Sequence, residues 1–139
     1  MTQEDKKLLL KDLCGRLPYG VKAQYYGSGE EMLTVDTIEA IYTQPSVEIV
    51  IGQYGLGIED IKPYLRPMSS MTEEEKDYVV KHSLGYTANI GGGKKDEKLY
   101  FHFKAESFDW LNKHHFDYRG LIDRGFAIEV TEDNNPYKE

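Results

Sequence analysis

His114 and His115 are the residues of this chain best suited to chemistry, because imidazole both accepts and donates a proton near neutral pH. Asp117 follows them, and Glu106 and Asp109 precede them. A carboxylate that orients one ring would make it a general base, so His114 or His115 with Asp117 or Glu106 form the acid/base candidates. A metal site is less well served. Adjacent side chains on a helix diverge by about 100°, and no His-x-x-x-His, His-x-His or neighbouring Cys supplies ligand spacing. Packing and capping explain the same residues without a cleft. In a helix over about 107–115, capped by Ser107, Asp109 falls in the first turn and the histidines in the last, each matching the sign that end prefers. Asp109 and Lys113 also form an i, i+4 pair. The structural account therefore takes precedence, and no cofactor or metal is expected.

Other constellations are weaker. Gly91-Gly92-Gly93-Lys94-Lys95 has a phosphate loop's glycines but lacks the following hydroxyl residue and helix. It reads as the tip of a hairpin whose Lys94, Lys95 and Lys98 offer an alternative as a weak nucleic-acid contact, diluted by Asp96 and Glu97. Eleven tyrosines are unusual for 139 residues. Tyr25, Tyr26, Tyr42 and Tyr54 fall in the strand-rich half and, with the single Trp110, are the binding candidates, since Tyr and Trp are enriched at interfaces. Cross-strand packing would use the same rings. The single Cys14 cannot close an intrachain disulfide and is expected to be a buried structural thiol. No nucleophile elbow or paired-carboxylate motif is present.

The elements that must position these residues follow from pattern. Thr2 caps a first helix to about Cys14, with Leu9 and Leu13 inward, Asp5, Lys7, Lys11 and Asp12 outward, and Gly15 as its stop. Val21, Ala23 and Tyr25 alternate as a half-buried strand ending at Gly27-Ser28-Gly29. A second strand from Met32 changes phase near Asp36 to Thr37, which predicts a bulge; Val47, Ile49 and Ile51 form a third. A short element over 57–61 precedes Pro63, which removes a backbone donor and disfavours helix just before it. Thr72 and Glu75 form a capping box for a helix to about His82. A hairpin over 86–103, a helix from Ser107, a second capped by Asp117 and ending at Gly125, and an edge strand over 126–130 complete the chain. The last residues, 131–139, are expected to fray.

This order predicts an α+β fold: an N-terminal helix, a small strongly bent antiparallel sheet or SH3-like barrel, then a helix, a β-hairpin and a C-terminal helix pair. One domain over 1–139 suffices, with a possible subdivision into 1–66, 67–130 and the tail.

Three blocks, KKLLLKDLCGRLPYGVK, KPYLRPMSSMTEEE and ESFDWLNKHHFDYRGLIDRG, cover roughly two fifths of the chain. They resemble a family of small uncharacterised proteins encoded by gut bacteria, their phages and mobile elements. The family has no assigned activity, so the resemblance implies no site residues.

Composition limits the remaining choices. A hydrophobic content of 40% and an aromatic content of 12% argue against disorder. The net charge is −7. Residues 18–65 carry two Lys against seven acids and residues 106–139 four Lys/Arg against eight, and the largest positive excess lies in 83–105, with four Lys against Asp96 and Glu97. Nucleic acid is disfavoured by that surface and a basic protein partner favoured. No apolar run approaches the roughly 18 residues that cross a bilayer, and acids in MTQEDKKLLLKDL do not suit a secretory signal. These features together favour a small cytoplasmic, non-catalytic binding or accessory protein acting through protein contacts, with no membrane association. Oligomeric state is not legible.

Overall fold

The computed structural model describes residues 1–26, 33–82 and 105–138. Helix α1 spans Gln3–Arg16. Thr2 opens it: its hydroxyl accepts from the Asp5 amide at 3.0 Å while the Asp5 carboxylate takes the Thr2 amide at 2.9 Å. Each partner satisfies a donor the helix itself cannot. Leu9 and Leu13 are buried as their spacing predicts. Gly15 does not stop the helix, which runs on to Arg16 and a tight turn over Leu17–Tyr19; Gly20 ends it at φ +72°, a conformation glycine adopts without strain.

Two expectations for α1 are corrected. Asp12 is fully buried, together with Arg16, because the two side chains neutralise one another across one helical turn, Nε to Oδ2 at 2.6 Å. Arg16 also donates to the Phe116 carbonyl at 2.6 Å, and Arg119 reaches Asp12 at 3.0 Å. With these two stripes facing inward, Cys14 falls on the outer side and is exposed. Partial burial pushes its thiol up from the ordinary value.

Seven strands are described: β1 (Lys22–Tyr26), β2 (Leu33–Tyr42), β3 (Glu48–Ile51), β4 (Tyr54–Leu56), β5 (Ile61–Pro67), β6 (Phe116–Asp117) and β7 (Ile128–Glu129). Their order is β4-β3-β2-β1-β5-β6, with β7 also paired to β5. The class is α+β with a bent open sheet. The sheet is mixed, since β5 runs antiparallel to β1 but parallel to β6 and β7. Strand β2 makes the bend: Leu33–Thr37 pair with β1, Ile38–Tyr42 with β3, and the register slips around Glu39. The break predicted near Asp36 to Thr37 thus lies a little further on.

Strand β5 has no precedent in the sequence pattern. Prolines avoid central strands because they cannot donate to the ladder, yet Pro63 lies opposite Ala23.

Helix α2 covers Glu73–His82, opened by the predicted box: Thr72 and Glu75 exchange bonds of 2.9 and 3.1 Å. Helix α3 covers Ala105–Lys113. Ser107 is therefore inside its first turn, buried, and is not its cap. The second helix of the expected pair is absent: 118–125 are turns. Asp117 caps that loop, its two oxygens each accepting an amide at 2.9 Å from Leu121 and Ile122, while Gly120 and Gly125 take φ of +74° and +83°. Left-handed residues at both points break any helical run. The hairpin over 86–103, its Gly91 to Glu97 tip and the Gly27 to Gly29 turn lie outside the described residues.

The larger core joins Leu9 and Leu13 to Ala23, Ile38, Ile51 and Leu65, and also to Leu121 and Ala127. It draws on both sides of the subdivision near residue 66. A smaller cluster holds Met71, Val79, Leu111 and Phe116.

Candidate functional site

The last turn of α3 delivers the two histidines. The His114 amide donates to the Trp110 carbonyl at 3.0 Å and the His115 amide to that of Asn112 at 3.1 Å. His115 then adopts φ +64°, rare for a residue with a side chain. This reverses the chain into β6, where the His115 carbonyl accepts from the Arg66 amide at 2.7 Å.

Both rings border an open cleft of about 760 Å³ between this turn and the tail, with Arg66, Lys113, Tyr137 and Lys138 among its other walls. Small-molecule sites commonly have this size. The tail does not fray. Tyr137 lies flat on His115, and its hydroxyl donates to the Tyr64 carbonyl at 2.8 Å while accepting from the Lys22 amide at 2.9 Å. Since Ala23 pairs with Pro63, Lys22 and Tyr64 form the next rung of the β1–β5 ladder. The phenol bridges that rung, because a hydroxyl can give and take a hydrogen bond at once. Thr131 and Asn134 close a local turn that starts the tail on its course.

His115 is held neutral at pH 7. Burial, then the charges of Arg16, His114, Arg66 and Lys22, lower its pKa to about 4. Its Nδ1 is buried without a hydrogen-bond partner among the described residues. His114 packs on Trp110 with ring centres 4.5 Å apart, and its pKa is lowered by partial burial against an opposing pull from Glu75. Arg66 presents its fork to Glu75 at 2.9 and 3.0 Å and lies 4.0 Å over the Phe116 ring. Partial burial pulls the Glu75 carboxyl up, but bonds from Arg66 and Thr72 outweigh it and leave the pKa lowered.

Of the acid/base candidates, His114 and His115 thus meet along one cleft. The Asp117 carboxylate is taken by its two loop amides. The Glu106 side chain lies outside the described residues, as does the Lys94 to Lys98 tip. Among the described residues no group of three His, Cys, Asp or Glu is placed to hold a metal.

The aromatic candidates divide. Trp110 is sandwiched in a stack with Tyr78, at 4.9 Å, and Phe116, at 5.8 Å. Tyr25 is in the core, 6.1 Å from the half-buried ring of Tyr54. Tyr26 and Tyr42 are exposed. Tyr26, on β1, lies beside Leu33 at the start of β2, whereas Tyr42 is at the far end of β2 beyond its bend, so one groove does not collect them. Arg66, Tyr137 and the exposed pair Leu33 and Val35 were not picked out by sequence. Only the Asn135-Pro136 turn before Tyr137 hinted at order in the tail.

No protein-family model, curated protein or solved structure matches this chain. Among the described residues no helix is long and apolar enough to cross a membrane.

Proposed function

We propose that this chain is a small cytoplasmic, non-catalytic binding or accessory protein that docks a basic segment of another protein on the outer face of β1 and β2. One observation carries this. Tyr26, Leu33 and Val35 are 52%, 45% and 40% exposed. Tyr26 lies directly opposite Leu33, and Val35 is two residues along, so all three project from the same face. Singly exposed apolar residues are ordinary; an adjoining trio marks an interaction surface.

Charge chooses the partner. A hollow of about 650 Å³ beside Tyr26 and Leu33 is edged by Glu59, which pairs with Lys6, and by Asp60 and Lys62, and another of about 310 Å³ beside Val35 and Tyr64 by Asp133. The net charge of −7, with Asp60 and Asp133 at these rims, favours a cationic segment bearing aliphatic or aromatic side chains. The resemblance to small proteins of gut bacteria, phages and mobile elements suits an accessory role and assigns none.

The test is a selection of random peptides displayed on mRNA against the immobilised chain. Enriched peptides are expected to be basic and apolar, and Leu33→Glu or Val35→Glu to weaken their binding about tenfold or more, equivalent to 1.4 kcal/mol, with unchanged circular dichroism. Failure to enrich above bare resin, or binding undiminished from the unaltered chain in both variants, would overturn the proposal.

A further inference from the structure

We propose that the cleft between the end of α3 and the tail is a second binding site, for a small oxyanion: a phosphate or carboxylate group. Its walls run against the sign of the molecule. Lys113 and Lys138 stand exposed at its edge, Arg66 forms part of its floor, and Glu132 is the acidic residue in its lining. Arg66 and Glu75 neutralise one another, which leaves two lysines against one carboxylate. A chain of net charge −7 has here a concave patch of the opposite sign.

The two imidazoles line the same place. Around His115, the charges contributed by α1, β1, β5 and the turn itself, from Arg16, Lys22, Arg66 and His114, are all cationic and all suppress its protonation. Glu75, from α2, acts on His114; the tail adds Tyr137, Lys138 and Glu132. An anion seated among them offsets that field, so its binding and protonation of His115 reinforce one another. The site is separate from the β1–β2 face and stands or falls independently of it.

Proton NMR of the histidine ring Hε1 signals tests the site on the full chain, titrated with sodium phosphate, sodium acetate or sodium chloride at matched ionic strength. Saturable shifts at His114 and His115 with phosphate, acetate or both, and a rise of about half a pH unit or more in the His115 midpoint, are expected. A response to phosphate alone assigns a phosphate ligand, and one to acetate alone a carboxylate. Replacing Lys113 and Lys138 together by Ala is expected to weaken binding several-fold while leaving thermal unfolding unchanged. Shifts reproduced by chloride, no shifts, or undiminished binding by the lysine variant would each overturn the site.

Discussion

The phenol ring of Tyr137 lies against the imidazole of His115 with ring centres 3.6 Å apart and planes 9° from parallel. A residue near the end of the chain is thereby fixed to the turn that follows α3, and its hydroxyl to the gap between β1 and β5. The tail is a strap closing the sheet and walling the cleft.

Tyr137→Phe keeps the ring and removes the bridge. The Lys22 amide and Tyr64 carbonyl then lose their shared partner, and a stability loss of about 1–3 kcal/mol is expected, read from urea unfolding. A loss below about 0.5 kcal/mol would show that water replaces the phenol freely.

Asp12 and Arg16 give a sharper test. Asp12→Ala leaves the buried Arg16 guanidinium without its counter-charge and removes a partner of Arg119, so a loss of about 3–5 kcal/mol is expected. Adding Arg16→Met in the same chain should recover a large part of it, because the stranded charge goes too. A double variant as unstable as Asp12→Ala would locate the energy in packing.

Stability should also fall with pH in a window set by His115. Its folded pKa of about 4 lies below the ordinary 6.5, so the unfolded chain takes up the proton first. The contribution is fully present above about pH 6.5 and is lost as pH drops towards 4. Each pKa unit corresponds to about 1.4 kcal/mol, which gives roughly 2 kcal/mol between pH 7 and 5. The lowered carboxyl groups of Asp5, Glu59 and Glu75 act in the same direction but at lower pH, in the carboxylate range. His115→Asn, which tolerates a left-handed backbone, should remove most of the change seen in urea midpoints over that window. An equal change in the variant would assign it to other groups.

What was legible in the sequence was local and periodic. The cap at Thr2 and the box at Thr72 satisfy donors within three residues, and the alternation of Val21, Ala23 and Tyr25 needs only a core on one side. What was not legible depends on distant partners. Burial of Asp12 and Arg16 is compensated by Arg119 and Phe116, about a hundred residues away, so a charged stripe looked like a solvated one. Strand β5 was hidden by Pro63, whose missing donor argues against a central strand. The histidines were visible from the outset, but their cleft was not, because one wall is a tail whose composition suggested fraying.

The docking proposal is tested most directly by nitrogen-15 NMR of the chain titrated with the peptide enriched in the selection. The largest amide shifts are expected at Gln24 to Tyr26 and Leu33 to Thr37, with the exposed side of α1 unmoved. Shifts centred elsewhere, or none at saturating peptide, would contradict it.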